Sequence, residues 1–139
     1  MVKVDVVFRK VGRAGSWLND AEEILSRPAE EFLADVKNRD LASFYLFLAV
    51  QECIDLAAHW VSDAGWNVPE DAGATCDLLA EHGAIDRELA TALRGAIGLR
   101  NRIAHGYASV DHARVHEEYR GGVMALRHFL SLVSSEAGL

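Results

Sequence analysis

Two prolines in 139 residues, and no stretch in which apolar and polar residues alternate, leave no strand signal of any weight. The longest wholly apolar run, Phe44 to Val50, is too short to span a bilayer. The run from Val4 to Phe8 is broken by Asp5, so neither a transmembrane segment nor a secretory signal is expected. The only two cysteines, Cys53 and Cys76, are too widely spaced for a Cys-x-x-Cys motif. Each sits in an apolar, helix-like stretch, which fits buried free thiols in a reducing cytoplasm. There is no glycine-rich phosphate loop, internal repeat, low-complexity segment or linker, and the length suits one domain over residues 1–139. Basic charge is also scarce: 14 Lys and Arg against 21 Asp and Glu give a net charge of −7. A general nucleic-acid binder would carry a dominant basic stripe. The few cations are unevenly placed, and from residue 87 onward every basic side chain is an arginine. A polyanion would have to be held locally, near those arginines.

Apolar residues at helical spacing predict an all-α chain of four main helices and two short ones. Val11, Ala14, Leu18, Ala21 and Leu25 form one stripe of a first helix that ends at Pro28. A short helix is expected over Ala29 to Val36, followed by a polar break at Lys37-Asn38-Arg39 with Asp40 as the next N-cap. The second long helix is then predicted from Leu41 to about Ala64, closed by Gly65. Its first half is apolar on every side, which calls for a central position or a second subunit. A short helix over Asp71 to Glu81 stops at His82-Gly83, and Asp86 caps a fourth main helix with Leu89, Leu93, Ala96 and Ile97 facing inward. Continuing that spacing puts Arg100 where leucine is expected. Asp111 caps a last helix carrying Val115, Tyr119, Val123, Leu126, Leu130 and Val133. Gly121-Gly122 within it costs roughly 1 kcal/mol per glycine against alanine, which a close helix approach or a bend would explain.

The segment Leu99-Arg100-Asn101-Arg102-Ile103-Ala104-His105-Gly106-Tyr107 gathers a guanidinium, an amide, an imidazole and a phenol at a helix end. A guanidinium can fork onto phosphate oxygens, and an imidazole can move a proton near neutrality. Asn101 and His105, four apart, share a helix face. An arginine that stabilises a crowded phosphate, beside a histidine that deprotonates a hydroxyl, is the minimum for cleaving RNA without a metal, because RNA supplies the 2′-OH nucleophile. The structural alternative has Arg100 capping carbonyls, His105 as a helix-terminal cation and Tyr107 as a core ring.

On the second long helix, Gln51, Asp55 and His59 form a polar stripe at i, i+4 and i+8. It is either a surface stripe or a buried set in which Asp55, or Glu52 beside it, pairs with Arg100 and orients Arg100 or His105. His112 and His116 have the spacing of two metal ligands on a helix, but no third ligand at a recognisable spacing accompanies them. An exposed pair on the last helix, with no metal, is the expectation. His82 and His128 fall in no pattern, and Cys53 and Cys76 have no neighbouring base that would make either a nucleophile.

Arg100-Asn101-Arg102-Ile103-Ala104-His105-Gly106-Tyr107 resembles the Arg-x4-His-x-Tyr motif of the HepT-like toxins of the HEPN superfamily. The similarity extends over nearly the whole chain: a long first helix, Glu30-Glu31-Phe32-Leu33-Ala34-Asp35, Gln51 and Asp55 followed by Ala57-Ala58-His59, and a final helix opening at Val110-Asp111. The resemblance implies an up-and-down, HEPN-like helical bundle that forms a homodimer. In it the motifs of two subunits face one another across a cleft, making a metal-independent ribonuclease that needs no cofactor. Arg100 and His105 would be catalytic, with Asn101 supporting them and Gln51 and Asp55 behind. Tyr107 matches the tyrosine to which a minimal nucleotidyltransferase antitoxin attaches AMP, adding charge and bulk that silence the toxin. Leu99 replaces an aromatic residue of many relatives, and Arg102 an apolar one. The implied partners are an RNA substrate, such as tRNA or mRNA, and the antitoxin, with no membrane. The rival reading is a non-catalytic helical partner that binds a nucleotide or the nucleotidyltransferase.

Overall fold

A computed structural model describes residues 4–139 and contains helices throughout, with no strand among the described residues. The chain forms α1 (Val4–Leu25), α2 (Ala29–Ala34), α3 (Val36–Asp63), α4 (Ala72–Glu81), α5 (Arg87–His105) and α6 (His112–Glu136), with a 3₁₀ turn at Tyr107–Ser109 between the last two. The helices make an up-and-down bundle.

The apolar stripe of α1 is buried at Val7, Ala14, Leu18, Ala21 and Leu25. It packs along α3, which also touches α2, α4, α5 and α6 and is the centre of the bundle. This accounts for the apolar start of α3: Ala42, Leu46, Ala49 and Val50 face the core, although Phe44 remains 53% exposed. By length and composition α3 could cross a membrane, but half of its most apolar stretch is buried inside the protein, as its central place requires. Leu18, Leu25, Phe32, Leu56, Leu79 and Phe129 are the largest apolar side chains fully enclosed.

Two boundaries differ from expectation, since α2 ends at Ala34 rather than Val36 and α3 begins earlier. α3 starts at Val36 rather than Leu41, because Asp35 is its cap and accepts from the backbone N–H of Asn38 at 3.2 Å and from the Asn38 amide at 2.6 Å. The polar Lys37-Asn38-Arg39 stretch is therefore the first turn of the helix, and Asp40 lies inside it with its carboxylate free for another use. Elsewhere the caps fall where the sequence places them. Asp86 accepts from Leu89 N–H at 2.7 Å and Asp111 from Arg114 N–H at 3.1 Å. Gly65 follows α3 with φ +83°, the left-handed conformation that glycine adopts without a Cβ clash.

Candidate active site

Arg100, Asn101 and His105 occupy the last turns of α5. Asn101 and His105 are exposed one turn apart, as their spacing requires, while Arg100 is half-buried. The Nε of Arg100 is buried without a hydrogen-bond partner, so part of its guanidinium is an unused donor. At about 100° per residue, Arg100 and His105 stand roughly 140° apart around the helix. Among the described residues no hydrogen bond joins them within one chain. Arg102 faces another way, into a cleft of about 750 Å³ between α5 and α6 that is also lined by Arg94, Arg114, Glu118, Tyr119 and Gly122. Gly121 lines this cleft as well, and a Cβ on either glycine would meet nothing within 4 Å, so the close helix approach expected for the pair is not what places it there.

The connection after His105 is tightly pinned. Gly106 N–H donates to the Arg102 carbonyl at 2.9 Å and Val110 N–H to the Tyr107 carbonyl at 3.0 Å. The Ser109 hydroxyl donates to the Gly106 carbonyl at 2.6 Å. These bonds hold Tyr107 against α3, where its hydroxyl donates to Oδ1 of Asp40. Arg39 Nε lies 3.7 Å from the same oxygen, and the His112 ring packs against the tyrosine with centroids 5.4 Å apart. Burial first, then the hydrogen bond and charge of Asp40, push the Tyr107 phenol up to about 12, against a smaller opposing pull from Ser43 and Arg39. Burial, followed by the charge of Arg39, holds His112 below the usual histidine range despite the carboxylates of Asp40 and Asp111. Tyr107 is thus neither a core ring nor a free surface phenol. Asp40, expected only as a cap, is its partner.

Gln51 and Asp55 come together, but away from Arg100. The Gln51 amide donates to Asp55 Oδ1 at 3.3 Å, and Lys10 Nζ lies 3.5 Å from Asp55 Oδ2. Glu52 takes Lys10 at 3.2 Å and Arg13 at 3.3 Å. The expected pairing of Asp55 or Glu52 with Arg100 is therefore corrected: these carboxylates tie α3 to α1, because α1 lies along that face of α3. His59 is exposed.

The two histidines of α6 are not an exposed pair either. His116 Nε2 is 2.7 Å from the Arg27 carbonyl oxygen, and its ring lies 5.1 Å from that of Phe32. These contacts fasten α6 to α2 and its entry turn. Cys53 and Cys76 are free and buried as expected. Burial pushes both thiols up, Cys76 to about 11.

A helical bundle whose open helix end presents arginine, histidine and tyrosine defines a class of compact all-α proteins with an Arg-x4-His-x-Tyr site. The sequence pattern described as "Ribonuclease HepT-like" matches residues 16–133, and the chain belongs to that family. A candidate RNase of Archaeoglobus fulgidus is 41% identical over 69 residues, 49% of this chain and 52% of that protein, so the chain spans about half of this relative. The mRNA nuclease HepT of Shewanella oneidensis is 22% identical over 107 residues, 77% of this chain and 80% of that one. Among solved structures, the tri-AMPylated HEPN toxin of Shewanella oneidensis in complex with an MNT antitoxin superposes with a TM-score of 0.83 at 19% identity. That match covers 97% of this chain and 99% of the other. A chain of a toxin–antitoxin complex with AMP-PNP gives 0.80 at 18% identity, covering 96% and 99%. These likenesses carry the fold.

Proposed function

We propose that this protein is an endoribonuclease toxin that cleaves RNA by 2′-OH attack, without a metal, and is silenced by AMP attachment at Tyr107. The observation that carries the reading is the Arg100–His105–Tyr107 segment at an open helix end, inside the region matched to a ribonuclease family. His105 is exposed and able to accept the 2′-OH proton, and Arg100 holds an unused donor for the phosphate. Asn101, one turn from His105, reaches the same substrate. Because Arg100 and His105 diverge on one helix, the site is read as formed by two copies of the chain, with the arginine of one facing the histidine of its partner. A homodimer supplies that arrangement. The partner that adds AMP is a nucleotidyltransferase antitoxin, the kind of protein found with the tri-AMPylated HEPN toxin. The reading places the chain in the cytoplasm, where Cys53 and Cys76 stay reduced.

The test is RNA cleavage in excess EDTA by the parent and by His105→Ala, with analysis of the new ends. Cleavage by the parent alone, leaving 2′,3′-cyclic phosphate, supports the reading. Equal cleavage by both removes His105 from the chemistry.

One observation favours a second reading, a non-catalytic partner of a nucleotidyltransferase. The Tyr107 hydroxyl finds its hydrogen-bond partner within one chain, whereas Arg100 and His105 are not joined within it. That reading predicts AMP attachment to the parent with no cleavage of RNA.

A further inference from the structure

A second cluster of ionisable groups converges from three elements: Arg39 and Asp40 from α3, Tyr107 from the 3₁₀ turn, and His112 from the first turn of α6. The Tyr107 hydroxyl and Arg39 Nε approach the same Asp40 oxygen, the first by a hydrogen bond and the second at 3.7 Å. Two nitrogens in this cluster, Arg39 Nε and His112 Nδ1, are buried without a hydrogen-bond partner. Buried polar atoms are nearly always satisfied, so two orphans in one cluster with a phenol mark an acceptor still to come. The acceptor suited to a guanidinium and an imidazole is a phosphate.

Resting on the reading of Tyr107 as the modified residue, we propose that Asp40 is the proton acceptor for nucleotidyl transfer to Tyr107, and that Arg39 and His112 seat the transferred phosphate. Tyr107 Oη forms a bond to the α-phosphorus of ATP, and its O–H bond breaks with the proton passing to Asp40. The bond from the α-phosphorus to the oxygen bridging the β-phosphorus breaks, and pyrophosphate leaves with the electron pair. Asp40 loses its negative charge as the phosphodiester gains one beside it, so Arg39 exchanges one anionic partner for another. His112 Nδ1 gains the acceptor that it lacks. A phenol pushed up to about 12 is scarcely ionised at neutral pH, so its attack needs a base at the oxygen itself. Asp40 already stands there.

The experiment follows incorporation of labelled AMP from ATP, catalysed by an MNT antitoxin, into the full chain and its variants, with Tyr107→Phe as the blank. Asp40→Asn keeps an oxygen to accept the tyrosine hydrogen bond but cannot take the proton. Its expected rate at pH 7 is lower by about 100-fold, the lower end for losing a positioned base, and rises with pH as phenolate forms, while the parent rate does not. Arg39→Gln and His112→Gln are expected to slow incorporation without changing that pH profile. Thermal melting of each variant shows whether it is folded. Incorporation into Asp40→Asn at the parent rate overturns the assignment of the base, as does a loss of rate in that variant with the parent's pH profile. Parent-like rates in both Arg39→Gln and His112→Gln overturn the phosphate seat. A parent chain that takes no label, or a Tyr107→Phe chain that takes as much, overturns the reading of Tyr107 itself and this inference with it.

Discussion

The hydroxyl of Tyr107 donates a hydrogen bond to the carboxylate of Asp40, 67 positions earlier in the chain. It ties the turn after α5 to the first turns of the central helix, just beyond His105. The end of α5 that carries Arg100 and His105 is therefore followed directly by a turn anchored to the core through Tyr107.

The first prediction concerns that bond as a structural element. Tyr107→Phe removes a donor from a half-buried pair, for which a net loss of about 0.5–1.5 kcal/mol is typical. Chemical denaturation of the two proteins should show this loss with an unchanged slope. A variant as stable as the parent would mean that Asp40 finds an equivalent partner in water.

The same phenol gives a dependence on alkali. Its folded pKa, about 12, lies above the unfolded tyrosine value near 10, so the folded state keeps its proton longer. The stabilisation is fully present below pH 10 and is lost as the pH rises through 12. His112 works at the other end. Its folded pKa is depressed, so its contribution is present above the unfolded histidine value near 6.5 and is lost as the pH falls through the folded value. Stability measured from pH 8 to 5 should fall less steeply in His112→Gln than in the parent. An identical slope would show that His112 titrates alike in the folded and unfolded chains.

Asp55 separates scaffold from chemistry. Its partners are Lys10 and Gln51, and its side chain is 40% exposed. Asp55→Ala is expected to lower stability by no more than about 1 kcal/mol and to leave RNA cleavage within about twofold of the parent, a change in barrier of under about half a kcal/mol. A large loss of cleavage in a folded Asp55→Ala protein would return Asp55 to the site.

The buried thiols give a fourth expectation. Alkylation of native protein at pH 8 should leave Cys53 and Cys76 unmodified, because the reactive species is the thiolate and burial disfavours it at both positions. Both should react once the chain is unfolded. Rapid alkylation of the native protein would reveal local opening between α3 and α4.

What could be read from the sequence was what depends on neighbours along the chain. Asp86 and Asp111 were legible as caps because a cap serves an amide three residues on, and the stripes of α1 and α5 because period alone assigns their faces. Asp40 was misplaced for the same reason: a local rule could see a polar break before it, but not Tyr107. Asp55 was paired with the wrong cation because Lys10 stands 45 positions away, and no spacing rule reaches that far. His116 likewise finds the Arg27 carbonyl 89 positions back. Arg100, His105 and Tyr107 could be found because they form a contiguous motif. The partner of Tyr107, Asp40, came only with the packing of α3 against the turn that follows α5.

The proposed role of His105 in proton transfer is tested by cleavage of purified tRNA and mRNA in excess EDTA by the parent and by His105→Ala. Products ending in 2′,3′-cyclic phosphate are expected from the parent and none above background from the variant, with both proteins melting alike. Cleavage by His105→Ala at the parent rate, or cleavage by the parent that EDTA abolishes, would contradict it.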